Sequence, residues 1–248
     1  MTWIDTHCHL QLDERPAEEL LGRAADVDWV VVPGIDLDTS RAALALAARL
    51  PAKVLATVGL HPHDARRWPD QADDLAELAG QAAAIGETGL DFYRNLALSA
   101  DQRQAFRAQL QLAQAVAKPV VVHCRDAFAE VHDILENQAL GALVVLHCWT
   151  GGRRWTKRFL ELGCWFSFAG PVAFETGETI RLAAALVPPE RALVETDTPF
   201  LSPPPFRHEP NEPARVALVG AALADVWGLS AGEVAATTSA NASRVFGR

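Results

Sequence analysis

The sequence lacks the segments that would carry a protein into or across a membrane. None of its apolar runs approaches the roughly 18 residues that a membrane-spanning helix needs. Near its start it also has no basic stretch followed by an apolar one, which is the pattern of a signal peptide. We therefore predict a cytoplasmic protein that does not enter a membrane.

Cysteine is scarce, and it is not arranged for cross-linking. The four cysteines form no CxxC pair and are widely separated along the chain. This spacing argues against the disulfide framework of a small secreted protein. It is typical of proteins in a reducing compartment, which agrees with the predicted cytoplasmic location.

Positive charge is in the minority. The chain carries 22 Lys and Arg residues against 31 Asp and Glu residues, which gives a formal net charge of -9. A chain this acidic does not bind nucleic acid through a broad basic face. Any polyanionic substrate must therefore be held by a local cluster of cations or by bound metal ions.

Apolar residues make up half of the chain, which is enough for a packed core and excludes a disordered protein. Short apolar runs alternate with longer amphipathic segments. The predicted strands are Trp3–Asp5, Trp29–Pro33, Val54–Gly59, Ala82–Gly86, Val120–His123, Val144–His147, Cys164–Phe168 and Ala192–Thr196. The predicted helices are Pro16–Ala25, Thr39–Arg49, Gln71–Gln81, Asp101–Ala117, Ala127–Gln138, Arg153–Leu162 and Glu178–Val187.

This alternation predicts a barrel. Eight strand–helix units in 248 residues match the usual size of a (β/α)8 barrel. An open doubly wound sheet is the alternative, but such a sheet normally carries a glycine-rich phosphate loop after its first strand, and the sequence has none. We predict an α/β fold, a TIM barrel that forms a single domain over residues 1–248.

Local signals mark some boundaries of these elements. Ser99 with Gln102 and Ser230 with Glu233 have the spacing of capping boxes, which predicts that a helix begins at each serine. The proline-rich stretch Thr198–Pro213 follows the last predicted strand. Loops of that length are rarely plain connectors, so we expect this one to be functional.

Side chains that bind metals follow the ends of five predicted strands. They are His7, His9, Glu87, His123, His147 and Asp197. Barrel enzymes build their active sites at the C-terminal ends of the strands, so these six side chains should meet at one mouth. A single histidine there is more often a hydrogen-bonded rim residue, and Asp197 alone could cap a helix. Together the six predict two divalent ions, with the two oxygens of Glu87 bridging them.

Three cysteines directly follow predicted ligand histidines. Cys8, Cys124 and Cys148 could in principle ligate zinc through their thiols. Alternation along an extended strand, however, turns each thiol away from the histidine before it. We therefore expect these cysteines to be small buried residues beneath the helices.

Seven segments together resemble the TatD family of metal-dependent hydrolases, which belongs to the amidohydrolase superfamily of barrel enzymes. They are Asp5–His9, Gly59–Asp64, Gly86–Asp91, Pro119–Asp126, His147–Gly151, Glu195–Pro199 and Asn211–Pro213. They occur in the family's order, and the similarity runs on to the closing Asn241–Phe246, so it covers essentially the whole chain.

The resemblance implies a ligand set and a reaction. It implies that the six converging side chains are the metal ligands and that the reaction is hydrolysis of a phosphodiester in DNA. Glu87 and Asp197 are then the catalytic residues, with Asp197 orienting or deprotonating the attacking water. Four histidines with two carboxylates suit Zn, Mn or Ni, whereas Mg prefers mostly oxygen ligands.

Further side chains are candidates for contact with substrate phosphates. In similar proteins the second His-x-His pair, here His61 and His63, lines the substrate pocket, although the same spacing could also hold a metal. Arg94, Arg125 and Arg207 are the other candidates, because arginine presents a planar fork of hydrogen-bond donors.

Aromatic side chains near the mouth could stack on unpaired bases or pack in the core. The candidates are Phe92, Tyr93, Trp149 and Phe206. Trp149 is the first of these to consider, since it lies two residues beyond a predicted ligand. We expect Arg153 and Arg154 to be solvated residues of a helix start, and His132 to be a surface residue of a helix.

The leading functional hypothesis is a 3'-5' exonuclease that acts on single-stranded or frayed DNA ends, with RNA and tRNA as further candidate substrates. We expect it to be a monomer or a weak oligomer. The alternative is hydrolysis of another ester, such as D-aminoacyl-tRNA deacylation.

Two other classes fit the sequence less well. Lactone and amide hydrolases of the superfamily usually use a carbamylated lysine, but Lys53, Lys118 and Lys157 do not end a predicted strand. A non-catalytic nucleic-acid-binding module would not need six converging ligands.

Overall fold

Eight parallel strands pair in chain order and form the barrel that the sequence predicts. The computed structural model describes residues 2–138 and 143–248. The strands are β1 Trp3–Asp5, β2 Val27–Val32, β3 Val54–Val58, β4 Ala84–Asp91, β5 Val120–Arg125, β6 Val144–Leu146, β7 Trp165–Phe168 and β8 Ala192–Val194. Each pairs with the next in parallel register. The (β/α)8 fold class is confirmed.

The barrel closes between its last and first strands through backbone hydrogen bonds beyond their ends. The amide of Thr6 donates to the carbonyl oxygen of Val194 (3.0 Å), and the amide of Asp197 donates to that of His7 (2.8 Å). These bonds join the two segments that carry predicted metal ligands, the one after β1 and the one after β8. Closure therefore fixes the segments after β1 and β8 relative to each other.

Helices surround the strands. They are α1 Ala17–Arg23, α2 Leu37–Arg49, α3 Trp68–Ala79, α4 Ser99–Val116, α5 Phe128–Gln138, α6 Arg153–Glu161, α7 Glu178–Ala184, α8 Val216–Trp227 and α9 Ala231–Phe246. The capping box predicted for Ser230 and Glu233 is confirmed at the start of α9. A second box, Asp36 with Thr39, starts α2 and was not predicted. Helix α8 was not predicted either.

The capping box predicted for Ser99 is wrong. The helix α4 begins at Ser99, but its N-cap is Leu98, and no side chain caps it. Gln102 is turned inward instead: its amide group donates to the carbonyl oxygen of Ala97 (2.9 Å), and its side-chain oxygen accepts from the amide of Asp91 (2.9 Å). Gln102 thus links the start of α4 to the end of β4.

The core has an inner and an outer part. The inner cluster fills the barrel with residues from alternate strand positions: Ile4, Trp29, Val31, Leu55, Ala84, Val121, Val145, Trp165 and Leu193. Residues Ala242, Val245 and Phe246 of α9 pack against them. The outer, larger cluster packs the strands against the surrounding helices. This leaves the opposite end, where the strands finish, free for a site.

The prediction that His132 is a surface residue is wrong. His132 is buried rather than exposed, with its ring 5.4 Å from that of Phe159 and 6.3 Å from that of Trp155. Helical periodicity does not show which side of α5 the neighbouring α6 covers, and α6 covers the side that carries His132.

Arg153 and Arg154 are exposed, as expected.

In the part of the chain that the structure describes, no single helix is long and apolar enough to cross a membrane. The helical segments Pro213–Trp227 and Ala231–Phe246 reach the required length and hydropathy only as a pair, and they are bent by 109° to each other.

Two glycine-to-alanine substitutions should change stability in opposite directions. Gly220 of α8 packs so closely on the buried ring of Trp3 that an added Cβ would overlap it, whereas Gly22 of α1 has no neighbour within 4 Å. We expect Gly220→Ala to lower the free energy of unfolding by about 1–3 kcal/mol, because overpacking strains the core. Gly22→Ala should raise it by up to about 1 kcal/mol. Denaturant titration measures both, and a stabilised Gly220→Ala protein would contradict the packing described.

Candidate metal centre

Six predicted ligand residues come together at the C-terminal end of the barrel. His7 and His9 follow β1, Glu87 lies within β4, His123 lies within β5, His147 follows β6, and Asp197 follows β8. Their side chains are mostly buried, and they converge from five strands that are far apart in sequence. The convergence predicted from the strand ends is thus what the structure shows.

One group of donor atoms surrounds Oε2 of Glu87. The Nε2 atoms of His7 and His9 are 3.2 Å apart, and they lie 3.2 and 3.7 Å from this oxygen. Oδ1 of Asp197 completes the group, at 3.4 Å from Nε2 of His9 and 3.8 Å from Nε2 of His7. Two imidazoles and two carboxylates therefore face one small volume.

A second group surrounds the other oxygen of Glu87. Oε1 is 2.9 Å from Nδ1 of His123 and 2.9 Å from Nε2 of His147, and these two nitrogens are 3.3 Å apart. Nε2 of His61 is 3.3 Å from the same oxygen. Each oxygen of one carboxylate thus faces its own set of imidazoles.

This donor set fits divalent metal ions. Nitrogen and oxygen ligands bind a metal such as zinc at about 2.0–2.2 Å, which places neighbouring donor atoms roughly 3 Å or slightly more from one another. Most of the donor separations in both groups have that spacing. Glu87 contributes one oxygen to each group, which is how a bridging carboxylate is shared between two cations.

Burial and charge favour an anionic Glu87. Only 3% of the residue is exposed. Burial alone would raise the pKa of its carboxyl, but the imidazole of His147 holds that pKa well below its usual range. Its ion-pair partners within the described residues are all histidines, which leaves the carboxylate charge available to a cation.

Two further carboxylates fix the orientation of the histidines. Oδ2 of Asp91 lies 3.1 Å from Nε2 of His123, and Oε1 of Glu195 lies 3.2 Å from Nδ1 of His147. Each carboxylate accepts a hydrogen bond from the ring nitrogen that points away from Glu87. In the neutral form of each ring, the nitrogen that faces Glu87 then carries no hydrogen and can bind a metal.

The orienting roles of Asp91 and Glu195 were not predicted, although the sequence carries a signal for both. Asp91 lies four residues after Glu87 on the same strand, so their side chains point to the same side of the sheet. Glu195 stands two residues before Asp197. A search for acidic residues two or four positions from a predicted ligand would have found both.

Asp5 links the end of the first strand to the segment that follows the last strand. It is fully buried, and its two carboxyl oxygens accept hydrogen bonds from the amide (2.9 Å) and the hydroxyl (2.6 Å) of Thr196. Burial raises the pKa of this carboxyl to about 8. The contact holds the segment that carries His7 beside the segment that carries Asp197.

His61 and His63 lie at the start of a short 3-10 helix, Pro62–Arg67, beside the second donor group. Nδ1 of His61 accepts a hydrogen bond from the amide of His63 (3.2 Å). Burial lowers the pKa of His61 to about 4, so its ring is neutral and its hydrogen is on Nε2. In that form Nε2 is a donor, which favours contact with an anion over metal binding. Nε2 of His63 lies 3.0 Å from Oδ2 of Asp91.

A cavity of about 650 Å³ opens above the donor atoms. Arg94 and Arg125 line it, and the guanidinium of Arg125 lies 4.1 Å from the centre of the exposed Tyr93 ring. Arg207 is not part of this lining: it lies over the Phe174 ring at 3.5 Å. The structure thus brings two of the three predicted arginines to the mouth.

Trp149 does not reach the cavity, so of the two roles left open for it, base stacking and core packing, the structure shows core packing. It is only 2% exposed, and its Nε1 donates to Oγ1 of Thr156 (2.9 Å). Its ring packs against those of Phe159 and Phe166. The chain turns sharply after His147, and this turn directs the indole into the core.

The cysteines follow the alternation argument only in part. Cys8 is buried and its thiol donates to the carbonyl oxygen of Val31 (3.7 Å), as expected for a side chain directed away from the mouth. Cys124 is buried in the outer core cluster, as expected. Cys148 is half-buried and contributes to the cavity lining, so the prediction is wrong for Cys148. Cys148 lies beyond the end of β6 with a φ of 42°, where strand alternation no longer applies.

Sequence comparisons place these features in a family. A family model described as TatD related DNase matches residues 4–247. The uncharacterized metal-dependent hydrolase YcfH of Escherichia coli K12 is 36% identical, over 99% of this chain and 96% of that relative. The 3'-5' ssDNA/RNA exonuclease TatD of Citrobacter koseri is 38% identical, over 90% of this chain and 89% of that relative.

Solved structures agree with the sequence relatives. The crystal structure of YJJV, a TatD homolog from Escherichia coli K12, matches with a TM-score of 0.92 at 28% identity, covering 99% of this chain and 98% of that one. A TatD family hydrolase from Entamoeba histolytica matches with a TM-score of 0.89 at 19% identity, over 99% and 98%, and shows the same fold. The family match, the relatives and the site together show that this chain belongs to the TatD family of metal-dependent hydrolases.

Proposed function

We propose that this protein binds two divalent metal ions and hydrolyses phosphodiester bonds at the 3' ends of single-stranded DNA or RNA. One observation carries the two-metal part of the proposal: the two oxygens of Glu87 face two separate groups of imidazole nitrogens. The substrate part is supported by relatives named as 3'-5' ssDNA/RNA exonucleases.

The proposed ligands divide between the two oxygens of Glu87. His7, His9 and Asp197 would hold one ion with Oε2, and His123 and His147 would hold the other with Oε1. Ions bound there would supply Lewis acidity toward a phosphodiester and its attacking water. The four imidazoles favour Zn, Mn or Ni over Mg, which prefers oxygen ligands.

Asp197 is the proposed base. Burial alone would raise the pKa of its carboxyl, but the adjacent His9 lowers that pKa, so the group is anionic and can accept a proton. Its side chain is 14% exposed and lines the cavity, whereas that of Glu87 is 4% exposed. Glu87 also lines the cavity, but Asp197 is the more accessible of the two carboxylates to a water there.

Substrate phosphates would be held by the few cations and donors at the mouth. Arg94 and Arg125 line the cavity, and neither forms an ion pair with a carboxylate in the described part of the chain. His61 also lines this cavity, and its Nε2 lies 3.3 Å from Oε1 of Glu87. These groups give an acidic protein a local binding site for one or two phosphates, which suits a strand end.

Replacement of Glu87 should remove both metal binding and turnover. We expect Glu87→Gln to reduce bound metal from two equivalents per chain to one or fewer. Turnover should fall more than about 100-fold, because removal of an outer partner alone costs roughly 10- to 100-fold. Elemental analysis and an assay on end-labelled single-stranded DNA measure these effects. Glu77→Gln, an exposed change of equal charge on α3, is the matched control. Two metals and normal turnover in Glu87→Gln would refute the bridge.

Loss of the Glu195 charge should weaken one ion selectively. Glu195 orients His147, so we expect Glu195→Gln to lower the affinity of the second metal equivalent by about 10-fold while the first is unchanged. Calorimetric titration of metal-free protein with Mn²⁺ separates the two equivalents. Glu190→Gln, exposed before β8, serves as control. Equal weakening of both equivalents would argue against the assignment of His147 to one ion.

The depth of the donor atoms predicts exonuclease behaviour. His9 and Glu87 line the cavity and are almost fully buried, so a strand end should reach them more readily than a strand interior. A linear single strand should be shortened from its 3' end, and a circular strand of the same sequence should be cut at least about 100-fold more slowly, equivalent to roughly 2.7 kcal/mol. Comparable rates on the two substrates would exclude end-only entry.

A further inference from the structure

Several of the large apolar side chains that remain exposed lie at the mouth. Within the described residues the exposed ones are Leu12, Tyr93, Leu96, Leu98, Leu182 and Phe200. Leu12, Leu96 and Phe200 line the cavity itself, and Tyr93 carries the guanidinium of Arg125. Apolar surface that rims a polar cavity is typical of a binding site, because a soluble protein gains nothing by exposing it.

Phe200 is a rim residue beside one of the proposed ligands, His9. Its ring centre lies 6.1 Å from that of His9, at an angle of 68°. Among the described ring contacts, this is the one between a phenylalanine, tyrosine or tryptophan and a proposed metal-ligating histidine. Half of the residue is exposed (51%), so one side of it is free to meet a ligand in the cavity.

The backbone of Phe200 is held in place from both sides. Its amide donates to the carbonyl oxygen of Asp197 (2.8 Å), and its carbonyl oxygen accepts from the side-chain amide of Asn211 (2.8 Å). Asn211 is fully buried and donates to the carbonyl oxygen of Thr196 as well (2.8 Å). An exposed aromatic ring on a fixed backbone loses little conformational freedom when it binds a partner.

The surroundings indicate what this ring binds. A nucleotide combines a flat base with a phosphate, and the cavity offers a matching pair: an aromatic ring at its rim, with Arg94 and Arg125 in its lining. Stacking on an aromatic side chain tolerates any base, because every base has a flat π-face. A base in a duplex is already stacked and paired, so it must be released before it can use such a ring.

We propose that Phe200 stacks on the unpaired base next to the bond that is cleaved and thereby selects single-stranded ends. The proposal rests on the nuclease function proposed above and adds a base-binding site to it. It makes Phe200 a specificity-determining residue whose contribution depends on the presence of a base. In this proposal the side chain of Asn211 holds the backbone of Phe200, and with it the stacking ring, in position.

Abasic substrates test this directly. Two single-stranded oligonucleotides would be compared that differ only in whether their 3'-terminal nucleotides carry bases or are abasic. We expect Phe200→Ala to raise KM about 10-fold more for the strand with bases than for the abasic strand. Turnover at saturation should change little, since stacking binds ground state and transition state alike. Phe200→Trp should retain the preference for bases, whereas Phe200→Leu should lose most of it. Leu182→Ala, an exposed apolar change on α7, is the matched control.

The outcomes separate this inference from the function on which it rests. Equal losses on both strands in Phe200→Ala, or full retention of the preference in Phe200→Leu, would overturn stacking while leaving the nuclease function intact. Wild-type protein that cleaves a simple aryl phosphodiester but neither oligonucleotide would instead refute the nucleic-acid substrate, and the base site with it.

Discussion

The arrangement of the site depends on one buried carboxylate, that of Glu87, placed between two groups of imidazoles. A carboxylate removed from water is costly unless charges or hydrogen bonds compensate for it. Here the compensation comes from histidines on β5 and after β1 and β6, each within 2.9–3.7 Å of one of its oxygens. Because these histidines belong to distant parts of the sequence, the carboxylate is stabilised only when the barrel is complete.

The surrounding structure preserves that geometry through a small number of polar contacts. Asp5 and Thr196 join the segments after the first and last strands, and Asn211 holds the loop beyond Asp197. Asp91 orients His123 and Glu195 orients His147, each through the ring nitrogen that points away from Glu87. Ligands held by buried hydrogen bonds need little rearrangement when cations and substrate bind, which is the condition for efficient electrostatic catalysis.

The sequence was sufficient to predict the barrel and the convergence of six side chains, because both follow from strand periodicity and from the position of each residue at a strand end. It was insufficient where burial depends on a neighbouring element. His132 was misplaced and the role of Trp149 stayed open, because only packing against Phe159 shows that both are internal. Phe200 was missed because its loop has no periodicity, and its conformation is set by hydrogen bonds from a residue eleven positions later.

Anomalous diffraction from crystals grown with Mn²⁺ or Zn²⁺ tests the central claim most directly. The account predicts two peaks roughly 3.5–4 Å apart, the separation usual for two-metal sites. One should lie against Oε2 of Glu87 with His7 and His9, and the other against Oε1 with His123 and His147. A single peak at full metal occupancy, or two peaks that do not share Glu87, would contradict it.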